Sequence, residues 1–379
     1  MAKILFLTSH LPFPPLSGGR RREYELLRRL TRNHSIEICT VTRTLELDTV
    51  HLEQVQRFAK VNLFPCPPET VCPHSSSFLV QRNASPEAMQ FVSSRLALGD
   101  IDLVHCEGFY MRSLLQETNV PTFLMEQNVE YLAWPGSMEQ IRFEEEIAWR
   151  SSTLCGAVTE DDAMVMRQVI PFSRVSVCFN GGDHQTLIGN ERDLTAETLP
   201  IGPIVLCVGN FAYGPSYDAG AMMCSLIAPR VLEQNADTTV LIVGNESESL
   251  ASHVVHERCI IVGRVPSLEP YYSAATVVAF PVERGRGVSV KIMEALVRGC
   301  AVLTTEVGKR SLVDAPVAVA NGMRQFAEQL GFLISDRRAR EELQAAAIRF
   351  GPSIPTWDMA AEQLERSWER AIRVEKNSD

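Results

Sequence analysis

Short apolar runs alternate with helical patterns along this chain, and the alternation occurs twice. In the first half Ile4–Thr8, Ile36–Thr42, Val61–Phe64, Leu103–His105, Thr122–Glu126 and Val175–Phe179 read as strands. In the second half Ile204–Val208, Thr239–Val243, Cys259–Val262, Thr276–Phe280 and Ala301–Thr304 do the same. Runs that stay apolar, rather than alternating with polar residues, suit strands buried on both faces, which means parallel sheets covered by helices. The rhythm breaks over the polar stretch Leu187–Pro203, which closes on Pro200, Gly202 and Pro203 and has linker composition. The spacing thus predicts an α/β chain of two doubly wound, Rossmann-like parallel-sheet domains, residues 1–190 and 204–352, joined by a linker over 191–203. Residues 353–379 carry a helix with Met359, Leu364, Trp368 and Ile372 on one stripe. It either closes the second domain or crosses back to the first. Ligands of such sheets bind at the carboxyl ends of the strands, so the cleft between the domains is the expected site.

Bulk properties exclude several classes of function. The 379 residues carry a net charge of −10, which argues against wholesale binding to a nucleic-acid backbone. No apolar run reaches the roughly 18 residues that a membrane span needs. Ile4–Leu7 is too short for a signal-peptide core and runs into Pro12, Pro14 and Pro15. The ten cysteines are scattered, with no Cys-x-x-Cys pair and no zinc-site spacing, so reduced core thiols, a cytoplasmic location and no metal are expected. A Walker loop, an HExxH pair, a Gly-x-Ser-x-Gly elbow and a Gly-x-Gly-x-x-Gly turn after the first strand are all missing.

What remains is a set of loops at strand ends. After Thr276–Phe280 comes Gly285-Arg286-Gly287-Val288-Ser289-Val290-Lys291-Ile292-Met293-Glu294, a glycine-containing loop that opens a helix. Such a turn aims backbone N–H groups and a positive dipole at an anion, Lys291 adds a charge, and Glu294 lies one turn along, placed to accept from sugar hydroxyls. In the first half Gly18-Gly19 precede Arg20-Arg21-Arg22. Three arginines at a helix start oppose the dipole, which an anionic ligand or partner would offset. His105 and Glu126 end two further apolar strands and are candidates to face the ligand.

In order and spacing these residues resemble the GT-B glycosyltransferases, specifically the retaining glycosyltransferase family 4 group. The likeness runs from Ile4 through Pro12, Pro14, Gly18, Gly19 and Arg22 to Asn128-Val129-Glu130-Tyr131 and Asn180-Gly181-Gly182-Asp183. It resumes at Val208-Gly209-Asn210, Ile242-Val243-Gly244, Gly263-Arg264-Val265 and Glu294-Ala295-Leu296, and is most similar to bacterial exopolysaccharide and natural-product sugar transferases. The chain departs from the family's Glu-x7-Glu pair, since the second glutamate is Glu294 but the first position holds Arg286.

The resemblance implies a metal-independent, retaining transfer from a nucleoside-diphosphate sugar to a hydroxyl of a glycan, lipid-linked or small-molecule acceptor. No cofactor besides that substrate, no nucleic acid and at most peripheral membrane contact are implied. The second domain would hold the donor and the first the acceptor. Arg286 and Lys291 would neutralise the diphosphate with the backbone of Gly287, Val288 and Ser289, and Gly18 and Gly19 would approach it. Glu294 would take the ribose, Arg264 and Val265 the base, Asn210 would also line the donor site, and His105 and Glu126 would contact donor sugar or acceptor. A nucleotide-sugar epimerase of the same fold and a non-catalytic partner subunit are the alternatives.

Overall fold

The computed structural model describes residues 1–67, 76–133, 138–182, 199–285 and 289–376. By packing they form two units, Met1–Gly181 with the tail from Trp357, and Gly182–Thr356. The expected linker lies outside the described residues as far as 198.

The first unit is built on β1 (Lys3–Thr8), β2 (Ser35–Thr42), β3 (Lys60–Pro65), β4 (Leu103–Glu107), β5 (Thr122–Glu126), β6 (Leu154–Ala157) and β7 (Val175–Val177). They pair in parallel in the order β3-β2-β1-β4-β5-β6-β7, with Ile4 opposite both Ile36 and Leu103. The order reverses between β1 and β4, and the loops leaving those two strands diverge there. The tail helix Trp357–Lys376 packs on this sheet and on helix Gly18–Leu30. Trp357 and Trp368 are buried, and Arg29 and His34 bind Asp358 and Glu365 at 2.9 and 2.8 Å.

The second unit holds β8 (Ile204–Val208), β9 (Thr239–Val243), β10 (Cys259–Gly263), β11 (Val277–Phe280), β12 (Val302–Thr304) and β13 (Ala318–Val319), all parallel, in the order β10-β9-β8-β11-β12-β13. Successive side chains point to opposite faces, and both faces are filled. Val205, Cys207, Val240, Ile242, Val277 and Ala279 join one apolar cluster. Ile204, Leu206, Leu241, Val243, Val278 and Phe280 join the other. Burial on both faces is what produced uninterrupted apolar runs in the sequence. Among the described residues no helix is long and apolar enough to cross a membrane.

Candidate functional site

In the second unit the switch point lies between β8 and β11, so the loop segments Gly209–Tyr213 and Pro281–Gly285 flank it. Each leads into a helix, Gly214–Met222 and Val290–Val297. Lys291 joins the two: from the second residue of its own helix its Nζ donates to Ser216 Oγ, in the first turn of the other, at 3.1 Å. The ammonium also sits 5.6 Å from the centre of the Phe280 ring. Burial lowers the Lys291 pKa, only partly offset by Cys207 and Glu294. A partly buried cation at a helix N-terminus is unfavourable twice over, by desolvation and by the dipole, and both penalties fall when an anion docks against it.

Glu294 follows one turn later on the same stripe and is buried. Its Oε2 accepts from the Tyr272 hydroxyl at 3.4 Å, and burial, then the Glu294 charge, pushes the Tyr272 phenol well above its ordinary value. Arg298, at the other end of this helix, donates to the Glu294 carbonyl at 2.9 Å and pairs with Glu269 at 2.8 Å. Glu294→Gln should weaken nucleoside-diphosphate binding by roughly 1.5–3 kcal/mol if the carboxylate accepts ribose hydroxyls. Calorimetry reads this directly, and an unchanged dissociation constant would leave Glu294 a purely structural role.

The other donor-side candidates differ in what they have free. Both acceptor positions of Asn210 Oδ1 are used, by Asn245 Nδ2 at 2.9 Å and the Ala212 amide at 3.3 Å, so a ligand could meet only its Nδ2. These bonds hold the β8 and β9 loops together at a close approach. A Cβ on Gly244, whose φ is +137°, would lie 2.0 Å from the Gly209 carbonyl oxygen. Arg264 is exposed just beyond β10, while Val265 packs against the core. Ser289 precedes the helix and its carbonyl accepts from the amides of Ile292 and Met293. Arg286, Gly287 and Val288 lie outside the described residues. Sequence reading missed Arg284, which pairs with Asp218 at 2.5 Å and places Nη2 3.2 Å from where a Cβ of Gly214 would be. A cation two residues before Arg286 was a visible signal.

In the first unit the structure corrects three expectations. Gly18 and Gly19 are not loop but the opening of helix Gly18–Leu30, capped by Ser17 Oγ, which accepts from the Arg20 amide at 3.2 Å. A Cβ on Gly19 would come within 2.7 Å of Gln127 Oε1, so the small residue permits that side chain to reach across and donate to Glu107 Oε1 at 2.9 Å. Nor are Arg20 and Arg22 turned to an external anion. Arg20 pairs with buried Asp48 at 2.9 Å, and Arg22, 1% exposed, donates to Asn180 Oδ1 at 2.7 Å and the Phe179 carbonyl at 3.0 Å. Burial lowers the Arg22 pKa against the opposing pull of Glu107.

The third correction concerns the two strand-end candidates. His105 is wholly buried and stacked on Phe6 at 4.2 Å. Trp368 Nε1 donates to its Nδ1 at 2.9 Å. An indole can only donate, so Nδ1 carries no proton and Nε2–H donates to Glu107 at 2.8 Å. For Glu107, burial is outweighed by that bond, the Arg22 charge and the Gln127 amide, leaving its pKa below the ordinary value. His105 therefore positions a carboxylate and does not itself reach a substrate. Glu126 is also buried, with Oε1 accepting from Trp149 Nε1 at 3.0 Å. Burial and the charge of Glu145 raise its pKa well above the usual range. Sequence reading overlooked His10, on the loop leaving β1, whose Nε2 lies 2.7 Å from Glu23 Oε1 at the switch point. The position of His10 directly after the first strand was the available signal.

Glu145 itself, pushed up to about 8 mainly by burial, accepts the amides of Glu130 at 2.8 Å and Tyr131 at 3.1 Å. Between its ordinary 4.5 and about 8 the folded chain holds a proton that the unfolded chain releases, so stability falls as pH rises through this window. Denaturant titrations across it should show that decline, flattened in Glu145→Gln. A wild-type stability that does not fall over this range contradicts the assignment.

Residues 202–336, all within the second unit, match the family model described as Glycosyl transferases group 1. No curated protein matches the chain in sequence. Among solved structures it is similar to Anabaena Alr3699/HepE in complex with UDP and glucose, at 13% identity and a TM-score of 0.71, covering 97% of this chain and 100% of that one. WaaG, a glycosyltransferase involved in lipopolysaccharide biosynthesis, gives 15% and 0.65 over 98% and 99%. An S. aureus TarM mutant in complex with Fondaparinux, alpha-GlcNAc-glycerol and UDP gives 8% and 0.71 over 97% and 100%. At such identities the likeness is one of fold. With two parallel-sheet units that match these proteins along nearly their full length, the chain has the GT-B fold, and residues 202–336 of its second unit match a group 1 glycosyltransferase domain.

Proposed function

We propose that the chain moves a sugar from a nucleoside-diphosphate sugar to an acceptor hydroxyl with retention of anomeric configuration. The donor is assigned to the second unit and the acceptor to the first. The observation that carries the reading is the reach of Lys291 from one switch-point helix to Ser216 on the other. A diphosphate held there would have its developing charge met by Lys291, by Arg284 and by the first-turn amides of helix Val290–Val297. Arg286 and the backbone around Gly287 and Val288 belong to the same proposed cradle. These groups do the work that a divalent metal does elsewhere, so the reaction is read as metal-independent and should survive chelation. Glu294 takes the ribose, and Arg264 with Val265 the base. The UDP and glucose in the similar HepE structure make a uridine nucleotide the first donor to try.

The reading is tested by incubating the whole chain with a panel of nucleotide sugars. Slow release of nucleoside diphosphate, accelerated by an acceptor, supports the transferase. An epimerised sugar without release would replace it with an epimerase, and no turnover or binding of any nucleotide sugar would make the chain a non-catalytic partner.

A further inference from the structure

Opposite the strand ends discussed so far, at the amino edge of the first sheet, the starts of β5, β6 and β7 and the tail helix line an open cavity of about 590 Å³. Four arginines line it, Arg112, Arg150, Arg174 and Arg370, together with hydroxyls such as those of Thr118 and Ser173, and among the described residues no carboxylate does. Such a wall is unexpected on a chain whose net charge is −10. Arg150 pairs with Glu146 at 3.3 Å. The other three meet only neutral oxygens among the described residues. Arg112 donates from Nη1 to the Leu115 carbonyl at 3.2 Å, and its buried Nε has no partner. Arg174 donates to the carbonyls of Arg150 at 3.1 Å, Thr153 at 3.3 Å and Ser152. Arg370 donates to Ser176 Oγ at 3.1 Å and to the Ser173 carbonyl. Closing a helix end accounts for Arg174. It does not account for Arg112 and Arg370, which line the same cavity with no counter-charge among the described residues, nor for the unused buried donor on Arg112.

We infer that this cavity binds a phosphate-bearing anion, which supplies the missing negative charge. Planar guanidinium forks meet phosphate oxygens in bidentate pairs, and hydroxyls complete the set of donors. The volume is that of a small-molecule site, large enough for a sugar phosphate or a phospholipid head group. The strands are about five residues long, so this edge lies roughly 16 Å from the carboxyl edge, and the site is separate from the machinery of transfer.

The test uses the full chain carrying Lys291→Gln, so that the diphosphate site of the second unit does not contribute. Pyrophosphate is titrated calorimetrically into this protein, into the same protein with Arg112→Gln and Arg370→Gln, and into the same protein with Ser173→Trp. The last variant fills the cavity from an exposed position and keeps every arginine, so it reports even if the double change disturbs folding. Binding weakened about tenfold or more in either cavity variant is expected, as for the loss of charge-assisted contacts. If pyrophosphate does not bind, sedimentation with phosphatidylcholine vesicles containing phosphatidic acid, lost in the cavity variants, supports the head-group source. Equal pyrophosphate affinity in all three proteins, or binding to neither probe, overturns the proposal.

Discussion

Lys291→Ala is expected to lower turnover by roughly 10²–10³-fold, about 2–4 kcal/mol in the barrier, as removal of a single charge-stabilising donor does in other enzymes. Among the described residues its Nζ has one hydrogen-bond partner, Ser216 Oγ at 3.1 Å, and burial already disfavours its ammonium. Its removal should therefore leave the thermal midpoint unchanged or slightly raised, because a desolvated cation at a helix start is lost. The combination separates a catalytic from a structural lysine. Saturating donor must be used, so that the loss appears in kcat rather than in KM alone. A variant that turns over at the wild-type rate under those conditions removes Lys291 from the mechanism.

Trp368→Ala should act in the opposite way, on stability first. The indole is wholly buried between His34 and His105, with ring centres 5.8 and 5.5 Å away. Truncating such a residue costs about 3–5 kcal/mol through lost burial and the cavity left behind. Loss of its N–H also strands His105 Nδ1 in the core, at about 1–3 kcal/mol. Trp368→Phe keeps most of the area and isolates that second cost. Denaturant unfolding of the first unit checks both, and a change below about 1 kcal/mol for the alanine variant would mean that the tail helix does not hold this sheet.

Much of the fold was legible because both sheets are buried on both faces. Ile204–Val208, Thr239–Val243 and Thr122–Glu126 stand where their apolar runs predicted. β6 (Leu154–Ala157) escaped because it is only four residues, Leu-Cys-Gly-Ala, that follow helix Met138–Ser151 almost directly. β13 escaped because it is two residues long. The side chains were harder to read. Glu294 and Lys291 share a helical stripe, which spacing shows, but the contact between Lys291 and Ser216 spans seventy-five residues and depends on which strands are neighbours. His105 and Glu126 were misread because a polar residue near a strand end looks the same whether it faces a ligand or a tryptophan. Here Trp368 and Trp149 are the partners, and Trp368 comes from the far end of the chain. Arg22 shows the same limit: its charge suggested an anion, while its fork is turned inward on Asn180 and Phe179.

The most direct measurement of the central claim is a crystal structure of the full chain with uridine diphosphate. The account predicts diphosphate oxygens within hydrogen-bond distance of Lys291 Nζ, beside Ser216, with the ribose hydroxyls on Glu294. A nucleotide bound elsewhere on the protein, with the bond between Lys291 and Ser216 undisturbed, would contradict it.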